Sequence, residues 1–252
     1  MSDELRMCSK DGPYRGKTCP VCGEHGKLLI REEEVEGIGR ILAGMLRHFP
    51  DNYGVRLNEH GWVKIYNVIP IIRAQRRNYW WVTPSHIKYI VETDPKQRYQ
   101  INSKDEIRAA YGHTIPINMD DLPRDGIPEV LYYQTTEDEL PFILESGISP
   151  SDKTWVHLSL TERQAYVSGM FHVQDPLVVE IDAKGLEESG QPVYRATSEV
   201  FLTAGIPPEF IKKKLTEKFE LTEEEKADLQ QVKERAERRA KRMARDNQEN
   251  SV

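Results

Sequence analysis

Apolar residues recur at helical spacing through Val35, Ile38, Leu42, Met45 and Leu46, and the run closes on Arg47-His48 because Pro50 cannot continue it. Gly61-Trp62-Val63-Lys64-Ile65 predicts a short strand. Thr83-Pro84 has the form of an N-cap followed by proline at the first helical position, predicting a helix to about Glu92 that Asp94-Pro95 stops. Two short alternating segments, Arg98 to Ile101 and Ile107 to Ala109, flank the turn-forming Asn102-Ser103-Lys104-Asp105 and predict a β-hairpin. Helices followed by a hairpin suit a winged-helix module over residues 34–118.

The pattern then changes. Pro116 to Pro128 is rich in Pro and Asp, with a linker expected around Met119 to Pro128. Short strands follow near Val130 to Tyr133, Trp155 to Leu158, Leu177 to Ile181, Val193 to Arg195 and Val200 to Leu202, the first three separated by helical segments. Residues 119–220 therefore read as a second α+β lobe. Past Leu221 the chain is mostly Glu, Lys, Arg and Ala, predicting a charged helical tail over 221–252 that frays from Asp246 to Val252. Residues 1–33 show little apolar periodicity and need something other than a core to hold them.

No run of about 18 apolar residues occurs, so no membrane span is expected. Met1 to Lys10 lacks the basic-then-apolar form of a secretory leader, which leaves the cytoplasm as the expected compartment. The net charge of −6 conceals an asymmetry: residues 34–118 hold 12 Lys/Arg against 8 Asp/Glu, residues 119–215 hold 8 against 17. A polyanion is expected to meet the first stretch. Three cysteines, an odd number, argue against a disulfide framework. Cys19-Pro20-Val21-Cys22-Gly23 instead has the form of a zinc knuckle, and Cys8 and His25 complete an expected tetrahedral set of three thiolates and one imidazole. Such a closed site would be structural. The competing reading is three unrelated buried thiols.

Three basic segments carry the chemistry: Leu46-Arg47-His48, Asp94-Pro95-Lys96-Gln97-Arg98-Tyr99, and Ile107-Arg108-Ala109-Ala110-Tyr111-Gly112-His113-Thr114. In order and spacing they resemble the RNA 2′-phosphotransferase family. The likeness continues through Glu145 to Pro150, Val156-His157-Leu158-Ser159, Val167-Ser168-Gly169-Met170, Val179 to Asp182 and Phe201-Leu202-Thr203, covering roughly Glu34 to Lys214.

The resemblance implies a winged-helix lobe joined to an ADP-ribosyltransferase-like lobe, with NAD held in the second and RNA lying across the cleft. It implies that an internal RNA 2′-phosphate attacks the nicotinamide ribose of NAD and expels nicotinamide. A ribose hydroxyl then attacks phosphorus, releasing RNA and ADP-ribose 1″,2″-cyclic phosphate. NAD is thus consumed, and spliced tRNA is one candidate substrate. Arg47, His48 and Arg98 match the family's catalytic positions. Arg108 and His113 are carried as phosphate or NAD contacts, and Thr135, His157, Ser159, Ser168 and Gly169 as NAD-lobe contacts. A monomer is expected.

This chain departs from the family pattern in three places. Phe171 stands where a fourth catalytic arginine usually follows Ser-Gly-Met, with His172 next and Arg163 upstream; Tyr133-Gln134-Thr135 replaces His-Gly-Thr; and an insertion carries Trp80-Trp81.

Simpler readings stand beside these. Arg47-His48 could be favourable cations at a helix C-terminus, His157 a core histidine, Trp80-Trp81 a packing pair, and Lys233 to Arg245 a solvated face that adds non-specific RNA affinity. There is no Gly-x-x-x-x-Gly-Lys-Ser/Thr loop, and Gly37-Ile38-Gly39 falls inside a helix without a third glycine, which excludes kinase and dehydrogenase signatures. Two other functions are kept open: a non-catalytic RNA-binding protein, and an ADP-ribosyltransferase acting on nucleic-acid phosphate ends.

Overall fold

The computed structural model describes residues 4–215, 217–234 and 237. They divide into two compact units, each α+β. Unit 1 takes the chain up to residue 127 with residues 149–157 and 191–205; unit 2 takes residues 128–148, 158–190 and the chain from residue 206.

Unit 1 opens on a three-stranded antiparallel ribbon of β1 (Leu5–Cys8), β2 (Gly12–Arg15) and β3 (Lys27–Ile30), with β1 in the middle. Leu5 and Ile30 pair across it, and both are fully buried among the helices that follow. The opposite end of β1 carries Cys8.

Helix α1 (Glu32–Ala43) begins on three glutamates, which suit its positive N-terminal end, and buries Val35, Ile38, Ile41 and Leu42. The expected closure on Arg47-His48 is present, with one addition: residues Gly44–His48 widen into a π-helical turn. Such widened turns are frequent at functional sites. Gly44 is required there, because a Cβ would come within 2.6 Å of the Tyr53 hydroxyl.

The stretch after Gly61 departs from expectation. Only β4 (Val63–Lys64) is a strand, and α2 (Ile65–Gln75) follows at once, with Pro70 inside it and Ile65, Val68, Ile69 and Ile72 buried. Helix α3 (Pro84–Glu92) starts where expected, and the His86 ring closes its cap on the Thr83 backbone N–H at 3.1 Å. The hairpin of β5 (Tyr99–Ile101) and β6 (Glu106–Ala109) also forms. Asn102 Oδ1 accepts from the amides of Lys104 and Glu106, and Asp105 turns with φ 56°.

The segment expected to be a linker is packed. Ile117, Met119 and Leu122 form a cluster with Tyr194, Ala196 and Leu202 from the antiparallel pair β10 (Val193–Arg195) and β11 (Val200–Thr203).

In unit 2, β7 (Val130–Thr135) pairs antiparallel with β9 (Leu177–Asp182), which pairs with β12 (Ile211–Leu215). Ser159, at the end of β8 (Val156–Ser159), lies opposite Tyr132 of β7. Helices α4 (Leu140–Ser146), α5 (Glu162–Met170) and α6 (Ala183–Glu188) complete the unit. Residues 223–234 are helical; the fraying expected from Asp246 to Val252 lies outside the described residues. Among the described residues no helix is long and apolar enough to cross a membrane.

Candidate functional site

The widened turn at the end of α1 brings Arg47 beside the start of β5, 51 residues further along the chain. Its Nη2 donates to the Arg98 carbonyl oxygen at 3.3 Å. The guanidinium lies 4.9 Å from the centre of the Tyr111 ring and 5.7 Å from that of Tyr99, two π faces that favour a cation. Gly112, at φ 81°, leaves the room: a Cβ there would meet Arg47 Nη1 at 3.2 Å. Arg47 Nε is buried and has no hydrogen-bond partner among the described residues.

Arg98 is aimed by a residue that the sequence reading did not assign. Asp94, 5% exposed, accepts from Arg98 Nη2 at 2.8 Å and Nε at 3.0 Å, and from the backbone N–H of Arg98 at 2.7 Å. Burial alone would raise the Asp94 pKa, but the bonds and charge of Arg98 outweigh it and hold the carboxyl below its usual range. The signal was present: Asp94 and Arg98 are four residues apart across the turn that ends α3.

His48 follows Arg47, and its Nδ1 lies 3.1 Å from the Thr114 hydroxyl. Its pKa is lowered by burial and then by the charges of Arg47 and Lys153. A neutral imidazole beside fixed cations can accept a proton. Lys153, which the sequence reading passed over, also depresses His157 and so adds positive potential to the same neighbourhood.

Two other histidines of unit 1 are not cations at all. His113, 2% exposed, is pushed down to about 3, first by burial and then by Arg47, His157, Arg108 and His48. Its Nε2 has no hydrogen-bond partner among the described residues. His157 is pushed down to about 4, with burial the largest cause and Lys153 and Arg47 adding to it. The Gly112 N–H donates to His157 Nε2 at 3.0 Å, and Nδ1 lies 2.9 Å from the Trp155 carbonyl oxygen, which fixes a neutral ring protonated on Nδ1.

Arg108, expected as a phosphate or NAD contact, is held by protein groups. It is 3% exposed. Nη1 bonds Asp121 at 2.7 and 2.9 Å and the His60 carbonyl oxygen at 3.3 Å, Nε bonds Gln100 at 2.9 Å, and the group lies 4.3 Å from the Trp62 ring centre. It ties the hairpin to the packed segment at Met119 to Leu122. Motif position alone cannot tell a buried cation from an exposed one.

The residues carried for unit 2 are placed there singly. Thr135 is 3% exposed and donates to Glu139 at 3.3 Å. Ser159 is half-buried and Ser168 exposed on α5. Gly169 has a packing reason: a Cβ would come within 2.5 Å of Pro176 Cβ. Phe171 caps α5, and Arg163 is paired to Glu225 at 2.7 Å, so the nearby arginine is committed within its own unit.

At the far end of the ribbon, Cys8, Cys19 and Cys22 come together, and the residue whose ligand atom joins them is Asp11, where His25 was expected. All four ligand atoms lie within 4.8 Å of one another. Asp11 sits in the β1–β2 turn, which folds its carboxylate back to 3.3 Å from both Cys8 Sγ and Cys19 Sγ. His25 is exposed, with Nδ1 at 2.9 Å from the Lys17 carbonyl oxygen. Cys8 Sγ and Cys22 Sγ are 3.6 Å apart, against roughly 3.8 Å for two sulfurs each about 2.3 Å from a tetrahedral zinc. Gly23, at φ 74°, returns its N–H to the Cys19 carbonyl oxygen at 2.9 Å, closing the knuckle turn. The donor set fits a divalent metal.

The family model for RNA 2′-phosphotransferase, Tpt1 / KptA family, matches residues 32–205. A relative from Thermoplasma acidophilum is 49% identical over 230 residues, 91% of this chain and 96% of its own length; one from Thermoplasma volcanium is 47% identical over 232 residues, 92% and 97%. A third, from Archaeoglobus fulgidus, is 39% identical over 213 residues, 84% and 96%. The first two carry the name probable RNA 2′-phosphotransferase, the third probable RNA 2′-phosphotransferase 1. With a matched span that includes Arg47, His48 and Arg98, this chain belongs to the RNA 2′-phosphotransferase family.

Proposed function

We propose that this chain removes an internal 2′-phosphate from RNA by passing it to NAD, and that Arg47, His48 and Arg98 of unit 1 are the groups that meet the phosphate. The observation that carries the reading is the convergence of these three residues: Arg47 bonds the Arg98 backbone, and Asp94 fixes the Arg98 fork. A rigid planar fork suits a phosphate whose oxygens gain charge as phosphorus becomes five-coordinate. His48, neutral near pH 7, is placed to take a proton from the attacking hydroxyl.

Helices α1, α2 and α3 followed by the β5–β6 hairpin are read as a winged-helix module, and unit 2 as an ADP-ribosyltransferase-like lobe that holds NAD. The metal is zinc, held by Cys8, Asp11, Cys19 and Cys22; it supplies a fixed closure to a ribbon whose own buried cluster is only Cys8, Tyr14 and Cys19. Binding of RNA to unit 1 should weaken steeply with salt.

The test is to incubate the protein with a 2′-phosphorylated oligoribonucleotide, with and without NAD. Loss of the 2′-phosphate only when NAD is present is expected. Binding without NAD consumption would favour a non-catalytic RNA-binding protein, and RNA that stops at the ADP-ribosylated stage would favour an ADP-ribosyltransferase.

A further inference from the structure

The ribbon at Leu5 to Ile30 precedes the span that the family model matches, so that match assigns it no role. Its contacts point to one. Arg15, the last residue of β2, reaches the carboxyl end of α3: Nε donates to the Thr93 hydroxyl at 2.7 Å and Nη2 to the Ile90 carbonyl oxygen at 3.2 Å. The Thr93 hydroxyl in turn donates to the Tyr89 carbonyl oxygen at 2.7 Å. A helix C-terminus leaves its last carbonyls without intrahelical partners and carries partial negative charge, so a cation there satisfies both needs. The next residue in the chain is Asp94, the carboxylate that holds Arg98 by its side chain and its backbone N–H.

We propose that the ribbon is a brace for Arg98: a metal held by Cys8, Asp11, Cys19 and Cys22 fixes the β1–β2 hairpin, Arg15 of that hairpin fixes the end of α3, and Asp94 is thereby held where it aims Arg98. Arg15 and Asp94 are positioning residues; neither meets substrate. The metal matters at the Cys8 end: Leu5 and Ile30 anchor one end of the ribbon in the core, whereas the other end buries a cluster of Cys8, Tyr14 and Cys19, too small to hold a hairpin of four-residue strands unaided. The register carries the connection along the length of the hairpin. Cys8 pairs with Gly12 at one end of the hairpin, and Leu5 pairs with Arg15 at the other.

What the brace does for turnover rests on the 2′-phosphotransferase reading; whether it exists does not. The experiment therefore has two readouts on Arg15→Ala, Arg15→Lys and the wild type, each at full metal content. The first is amide hydrogen exchange of residues 93–98, also measured on wild type stripped by a chelator. The second is turnover of 2′-phosphorylated RNA with NAD. Arg15→Ala is expected to keep its metal, to exchange faster at residues 93–98, and to lose about tenfold in kcat, the lower end of what removing a supporting partner of a site residue costs, while KM for NAD stays unchanged. Arg15→Lys should recover part of both losses, and the stripped wild type should show the same faster exchange. Unchanged exchange and kcat in Arg15→Ala would overturn the brace, and undiminished protection after stripping would overturn the metal's part in it. A wild type that does not turn over at all would count against the reading of function alone, since exchange still decides the brace.

Discussion

Replacing His113 by Gln separates a buried neutral ring from a phosphate-binding cation, because the two make opposite demands on pH. In the folded chain the ring is 2% exposed and its pKa is pushed down to about 3; in the unfolded chain it returns to the ordinary 6.5. A depressed folded value means that the unfolded state gains the proton first, so this stability is present above pH 6.5 and is lost as pH falls towards the folded value. At about pH 5 the unfolded ring sits about 1.5 units below its pKa and gains about 2 kcal/mol at 1.36 kcal/mol per unit, while the folded ring gains almost nothing. That is a sizeable part of the roughly 5–15 kcal/mol by which a domain is stable. The assay is urea unfolding of wild type and His113→Gln at about pH 7.5 and about pH 5. Wild type should lose about 2 kcal/mol more than the variant between the two conditions, with contributions from His157 and the carboxylates cancelling in the comparison. Equal losses would refute the reasoning, and a smaller loss in wild type would mean that His113 is charged in the folded protein and available to an anion.

Arg98→Ala should keep a native fold and slow overall dephosphorylation by at least about a hundredfold, as expected for loss of a preorganised cation aimed at developing charge; a time course on a gel should show RNA carrying an ADP-ribosylated 2′-phosphate accumulating, and near wild-type speed would remove Arg98 from the role. Arg108→Ala should cost about 2 kcal/mol of stability, below the 3 to 5 kcal/mol of a fully buried pair because Asp121 keeps 33% of its side-chain surface; a variant as stable as wild type that binds RNA or NAD more weakly would restore Arg108 as a ligand contact. Metal analysis should give about one zinc per chain, reduced in Asp11→Ala and retained in His25→Ala; the reverse order would return the fourth position to His25.

Much of unit 1 was legible because its signals are local. The Thr83-Pro84 cap, the Asn102 to Asp105 turn and the spacing from Val35 to Leu46 act within a few residues, and α3, the β5–β6 hairpin and α1 follow them. Helix α2 was hidden because Val68-Ile69-Pro70-Ile71-Ile72 is an unbroken apolar run around a proline, with neither a helical nor an alternating period to read. Strand β12 was missed because Ile211 to Leu215 sets three consecutive lysines between two apolar residues, which leaves no alternating period to read.

The site shows the same division. Cysteine spacing found three of the four residues of the Cys/Asp cluster; the fourth, Asp11, is returned to the thiols by a hairpin turn, which spacing does not record. Arg108 and His113 lie in one motif, and only the structure shows that the first is tied to Asp121 and the second is held neutral by burial.

The central claim is that the phosphate leaves the RNA and ends on a fragment of NAD. An RNA labelled with ³²P at one internal 2′-phosphate, incubated with the wild-type protein and NAD, tests it directly by following where the label goes. The account predicts that the label appears in ADP-ribose 1″,2″-cyclic phosphate, with one nicotinamide released for each phosphate moved and the RNA recovered with a free 2′-hydroxyl at that position. Label released as inorganic phosphate, or retained on the RNA while NAD stays intact, would contradict it.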